Sequence, residues 1–201
     1  NHLTGFARPP RYRRALVAPA HLRDGIVAEI DRAIAGHSTE SPSRVVMKMN
    51  AIIDGPMIAA VYRASQAGVA VDLIVRGITG LRPGIPGVSE NVRVISLVGR
   101  FLEHARVFAF TVGGKTNYWI GSADMMARNL DNRVELVAPV EDPAARAEIQ
   151  GILDLQLADT ALAWELGADG TWSRVEPEEE APSLNSQEAL MERATGAARL
   201  A

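Results

Sequence analysis

The 201 residues contain no cysteine, which excludes disulfides and every thiolate-ligated metal site and suits a reducing compartment. No apolar run is long enough to span a bilayer, and the opening Asn1-His2-Leu3-Thr4 has neither an initiator methionine nor the charged-then-apolar lead of a signal peptide. The chain is therefore expected to be a piece of a longer protein. Histidine is scarce, and His2, His21 and His37 have no ligand spacing to one another or to a carboxylate pair, so no metal site is expected. A Gly-x-x-x-x-Gly-Lys-Ser/Thr stretch is also missing, so a nucleotide would not be held by a P-loop. No short internal repeat is visible.

The net charge of −3 argues against a general polyanion binder, but its distribution does not. From Arg76 to Arg133 eight basic residues stand against four acids, whereas acids gather after Val140 and peak at Glu178-Glu179-Glu180. A local positive field concentrates phosphates even when the whole molecule repels them.

In chain order, strands alternate with helices, as in an α/β domain. Asn1 to Arg14 is polar, basic and broken by Pro9-Pro10, a lead-in from something upstream. Ala15 to Ala18 is a short buried strand. Leu22, Ile26, Ile30, Ala33 and Ile34 keep helical spacing up to Gly36. Val45 to Met49 is a strand, Asp54 opens a helix that stops near Gly68, and Val69 to Val75 is an apolar run suited to a strand covered on both faces. Its end delivers Arg76-Gly77 to the place where open α/β sheets bind ligands. Ile78 to Asn91 has too many glycines and prolines for regular structure. Val92 to Val98 is a further strand, and Arg133 to Val137 another. Asp142-Pro143 opens a helix expected to run through Leu157 and Leu162 to Gly167. Glu176 to Pro182 is an acidic linker, followed by an amphipathic tail helix through Leu184, Leu190, Met191, Ala194 and Ala198, whose apolar side needs a partner.

The chemistry concentrates in Arg100 to Phe108 and Tyr118 to Asp124, expected as two strands joined by a Gly113-Gly114 hairpin. Side chains alternate along a strand, which would put His104 and Arg106 on one face, and Ser122 and Asp124 on one face of the neighbour. An imidazole beside a fixed cation, with a hydroxyl and a carboxylate near, suits phosphate handling: the ring attacks phosphorus or passes a proton, and Arg76 and Arg106 present planar forks to its oxygens. Bland readings stand beside these. His104 could bond a backbone carbonyl, the arginines could form surface ion pairs, Arg128 and Arg133 could pair with Asp131 and Glu135, and Ser122 could cap the following turn; the functional reading of Asp124 is that it orients His104. Trp119, Trp164 and Trp172 read as packing residues.

His104-x-Arg106, then Gly121-Ser122-Ala123-Asp124 and Asn132-Arg133-Val134-Glu135, resembles a degenerate form of the phospholipase D superfamily signature, His-x-Lys with a downstream Gly-Ser-x-Asn. Arg replaces Lys, and Asp replaces Asn. One branch of that superfamily is much more similar, the long-chain polyphosphate kinases. The matching blocks are Leu73-Ile74-Val75-Arg76-Gly77, Gly84 to Asn91, Gly99-Arg100-Phe101-Leu102-Glu103-His104-Ala105-Arg106 and Ser122 to Asp131, within a likeness running from about Leu3 to Arg174.

The resemblance implies a phospholipase D-like mixed sheet flanked by helices. It divides the chain into 1–36, the end of a preceding catalytic domain or a lead-in, 37–175, the carboxy-terminal domain, and 176–201, the linker and tail helix. It also implies reversible transfer of the terminal phosphoryl group of ATP to inorganic polyphosphate, with Mg²⁺, through a phosphohistidine. Arg76 and His104 match the family's ATP-contacting arginine and second essential histidine, and Arg106 would share the phosphate, with Ser122, Asp124 and Arg128 in support. The phosphorylated histidine of the family sits in another His-x-Lys setting, which none of His2, His21 and His37 shares. The Mg²⁺ ligands are likewise expected elsewhere. The 201 residues alone are thus expected to be inactive. Implied partners are ATP or ADP, polyphosphate, the missing amino-terminal and first catalytic domains, and further copies of the full-length protein, with no nucleic acid. The expected location is cytoplasmic, any membrane association coming from other parts of the protein. Two other functions remain open: a phospholipase D-like phosphodiesterase or nuclease pairing two copies of His104 across a dimer, and a non-catalytic polyphosphate-binding module.

Overall fold

The computed structural model describes residues 12–178 and 181–198. Most of the basic lead-in, including His2, and Glu179-Glu180 lie outside the described residues. In order, the elements are β1 (Leu16–Val17), α1 (Leu22–Ala35), β2 (Arg44–Met49), α2 (Gly55–Gln66), β3 (Ala70–Val75), β4 (Val92–Leu97), β5 (Arg106–Val112), β6 (Lys115–Gly121), α3 (Ala127–Asp131), β7 (Leu136–Val140), α4 (Pro143–Leu157), β8 (Ala163–Leu166), β9 (Trp172–Arg174) and α5 (Ser186–Ala198). The strands form one mixed sheet in the order β1-β7-β6-β5-β2-β3-β4-β8-β9. Only β2, β3 and β4 run parallel to one another, with Met49 opposite Val75 and Ile74 opposite Ile95. Every other neighbouring pair is antiparallel.

Alternation along the central strands splits the core in two. Val45, Met47 and Met49 of β2, with Leu73, Val94, Phe108 and Phe110, face Leu22, Ile26 and Ile30 of α1 and Met57, Ala60 and Val61 of α2. Val46, Ile74, Ile95, Val107 and Ala109 face Leu153 of α4 on the other side. Burial on both faces is what nearly continuous apolar runs in β2 and β3 require. Both α1 and β1 pack into the first core.

Local chemistry accounts for several element ends. The Asp54 carboxylate accepts the Met57 amide with Pro56 in the first turn of α2, and Asp142 does the same for Ala145 of α4, with Pro143 at its first position. Gly113 and Gly114, with φ of 56° and 71°, make the tight β5–β6 hairpin that the Gly-Gly pair predicts.

Three expectations need correction. Regular strand pairing in β5 starts at Arg106, so His104 lies on the preceding loop and not on a strand face with Arg106. The strand expected over Arg133 to Val137 begins only at Leu136. The long helix after Asp142 ends at Leu157, because the Asp159 carboxylate accepts the amides of Ala161, Leu162 and Ala163 at 2.9, 2.6 and 3.2 Å and turns the chain into β8. Local side-chain acceptors compete with helix propagation in this way. Apolar Leu162, Ala163 and Leu166 at short spacing fit either period, which is why the pattern concealed two strands.

Candidate phosphate site

The parallel trio β2, β3 and β4 delivers three chain segments to one edge of the sheet. Arg76 follows β3 directly, its amide bonded to the Met49 carbonyl at 3.3 Å and its carbonyl accepting from the Ser96 hydroxyl at 3.4 Å. Gly77 donates to the Asn50 carbonyl at 2.8 Å. A Cβ at Gly77 would stand 3.0 Å from that same oxygen, so the close crossing favours glycine. Beyond β4, residues 98–105 form an irregular loop with Val98, Phe101 and Leu102 exposed.

His104 is exposed on that loop, and its Nδ1 lies 3.3 Å from a terminal guanidinium nitrogen of Arg76. A guanidinium has donors and no acceptor. Nδ1 is therefore the accepting atom, and in the neutral ring Nε2 carries the proton. The pair thus offers an Nε2–H and the remaining guanidinium N–H groups, all donors, to an incoming anion. Arg76 also borders two clefts, one with Ser96, Val98, Trp164 and Trp172 and one along 97–103.

Two ion pairs flank His104 in sequence. On one side, Arg106 donates to both Asp124 carboxylate oxygens, at 3.2 and 2.8 Å, and through its third nitrogen to the His104 carbonyl at 2.8 Å. Its side chain is 11% exposed and that of Asp124 3%. Asp124 also accepts the Asn50 amide at 2.7 Å. On the other side, Glu103 accepts from Lys48 of β2 at 2.7 Å, from Gln156 of α4 at 2.8 Å and from Gln187 of α5 at 2.8 Å. Burial lowers the Lys48 ammonium below its ordinary value, with Arg76 adding to the effect and Glu103 opposing it. Burial pushes the Glu103 carboxyl up, but Lys48 and the two amides outweigh it and hold the carboxyl below the usual range.

These contacts revise several assignments. Arg106 spends all three guanidinium nitrogens on Asp124 and the His104 carbonyl, so it braces the histidine and does not present a free fork to phosphate. Asp124 holds Arg106 and Asn50, not the His104 ring. Ser122 donates to Glu135 and accepts the Leu136 amide at 3.2 Å, while α3 is preceded by Met126, which provides no side-chain cap. Asp131 is paired with Arg23 and Glu135 with Ser122 and Asn129, so neither serves Arg128 or Arg133. Arg128 is exposed on α3, and among the described residues no hydrogen bond joins it to His104. Of the expected set, the structure brings together Arg76, His104, Arg106 and Asp124.

Lys48, Gln156 and Gln187 escaped the sequence reading. A lysine inside the otherwise apolar Val45–Met49 run was the available signal, since a buried ammonium needs an acid. His37 accepts the Ser43 amide at 3.0 Å, far in the chain from the site. Among the described residues no group of three or more His, Asp or Glu side chains could hold a metal ion. Glu103 and Asp124, the carboxylates beside His104, are committed to cations, so the site does not fit Mg²⁺.

The architecture is a phospholipase D-like mixed sheet between helical layers, with a histidine–arginine pair at the sheet edge. NucT from Helicobacter pylori shares it at the level of fold, with a TM-score of 0.54 and 14% identity over 71% of this chain and 93% of that one. The family model described as polyphosphate kinase C-terminal domain 2 matches residues 15–187, and the chain belongs to that family. It is 50% identical over 96% of its length to a polyphosphate kinase of Streptomyces coelicolor and 50% identical over 97% to polyphosphate kinase 1 of Chlorobaculum tepidum. It spans only 26% and 28% of those two proteins. The crystal structure of polyphosphate kinase from Porphyromonas gingivalis superposes on the whole chain, and on 31% of its own, with a TM-score of 0.91 and 38% identity.

Proposed function

We propose that this chain is the carboxy-terminal catalytic region of a polyphosphate kinase that moves the terminal phosphoryl group of ATP reversibly onto inorganic polyphosphate. In this reading His104 and Arg76 grip the transferred group, His104 through Nε2–H and Arg76 through its free guanidinium N–H groups. The observation that carries it is the 3.3 Å contact between the two at the ends of parallel strands, where donors converge on solvent. Preorganised donors of this kind stabilise charge that develops on a phosphoryl group in flight.

The phosphorylated histidine is assigned to a part of the protein beyond this chain, because the family places it in another His-x-Lys setting that none of His2, His21 and His37 shares. Mg²⁺ accompanying ATP is assigned likewise to groups outside the chain, together with the first catalytic domain and the contacts that build a homo-oligomer. ATP as substrate makes the location cytoplasmic. The family membership favours this reading over a dimeric phosphodiesterase or a module that only binds polyphosphate.

Polymer synthesis from ATP and Mg²⁺, followed in a polyphosphate kinase whose carboxy-terminal region is this chain, tests the assignment. His104→Ala and Arg76→Ala should each lower the initial rate by roughly 10²-fold or more. Wild-type rates in both variants overturn it.

A further inference from the structure

The loop that carries His104 has little structure of its own. Within 99–105 only the Phe101 amide finds a protein acceptor among the described residues, and that acceptor is the Gln187 side-chain oxygen at 2.9 Å. The same amide group donates through its nitrogen to the Phe101 carbonyl at 2.9 Å and to the Glu103 carboxylate at 2.8 Å. One side chain therefore closes both polar groups of Phe101 and fixes the residue before His104. Gln187 is 5% exposed, so these bonds form away from water, where leaving a partner unmade is costly.

Gln187 reaches this position because the first turn of α5 is itself tied down. The Leu184 carbonyl accepts the amides of Thr160 and Ala161 at 3.0 and 3.1 Å, and the Ser186 amide donates to Asp159 at 2.7 Å. A Cβ at Gly99 would stand 2.6 Å from the Gln187 oxygen. The loop and the amide are thus fitted to each other from both sides.

We propose that Gln187 is a positioning residue for His104, so that the docked tail helix sets the imidazole against Arg76. The inference rests on the phosphate-handling role given to His104 above. The Gln187 amide bonds Phe101 and Glu103 and not the ring, so it acts through those two residues. Its removal therefore lowers turnover while leaving the affinity contributed by Arg76 in place.

The test is Gln187→Met, which keeps the volume and loses the amide, with Gly99→Ala as an independent push on the same contact. In the 201-residue chain, the His104 ring cross-peak, assigned by its loss in His104→Ala, should shift or broaden in both variants while each still melts cooperatively. In a polyphosphate kinase carrying this region, kcat should fall about 10- to 100-fold, as misplacement by a fraction of an ångström to an ångström predicts, with KM for ATP near the parent value. A folded Gln187→Met variant with the parent's cross-peak and kcat overturns the proposal, as does a loss confined to melting temperature. The two failures separate: an active His104→Ala variant sinks the role of the histidine, whereas an unperturbed Gln187→Met variant sinks only the positioning.

Discussion

His104 is held from two sides by opposite means. On its carboxyl side, Arg106 and Asp124 lie 18 residues apart on one hairpin and its continuation. The β5–β6 pairing brings them together, with Arg106 opposite Gly121. On its amino side, Glu103 is gripped by Lys48, Gln156 and Gln187, which stand 55, 53 and 84 residues away on a strand and two helices. The first clamp is a product of local chain geometry, and the second exists only when three separate elements have packed. Losing the first should therefore damage the sheet edge itself, and losing the second should loosen the loop.

The largest effect is expected from Asp124→Ala. It leaves the Arg106 guanidinium nearly buried without its carboxylate and frees the Asn50 amide as well, and removing one partner of such a pair costs about 3–5 kcal/mol. Urea denaturation of the 201-residue chain measures it, and a loss below about 1 kcal/mol, the range of exposed pairs, would contradict the buried-clamp description. Lys48→Met should cost less, about 2–3 kcal/mol, because Glu103 is left unpaired but keeps two amide donors and is less deeply buried. A double-mutant cycle of Lys48→Met with Glu103→Gln sharpens the contrast, since coupling between the two should be clearly non-zero while Lys48 and Asp124 should be close to additive.

The smallest effect concerns acid. Glu103 has its folded-state carboxyl held below the ordinary value of 4.5, so its contribution is present above that value and is lost as pH falls through the folded-state value. Glu103→Gln should flatten the acid side of the stability profile in that window. An unchanged acid limb would mean that other carboxylates carry it.

Much of the scaffold was legible. Asp54 before Met57, Pro143 after Asp142, Gly113-Gly114 and the apolar run ending at Val75 each act within a few residues, so their consequences could be read in place. Of the strand expected over Arg100–Phe108 only the part from Arg106 forms, because apolar Phe101 and Leu102 are exposed in a loop and not paired in the sheet. The helix expected to reach Gly167 failed because Asp159 bonds three amides ahead of it, a contest that periodicity does not register. At the site, Arg76 was legible beyond a strand end and His104 was singled out by residue type inside an expected strand, but the occupation of Arg106 by Asp124 was not legible.

By itself the order of residues determined the strands over Val45–Met49, Val69–Val75 and Val92–Val98, the helices between and after them, the hairpin and the concentration of basic groups between Arg76 and Arg133. Those features arise from periodicity, capping and turn chemistry, which act over short stretches of chain. Only the tertiary structure decided which cations remain free. Arg76 keeps donors for an anion while Arg106 and Lys48 are consumed by Asp124 and Glu103. An ion pair is specified by a distance of a few ångströms in space and by burial, and neither is encoded by separation along the chain.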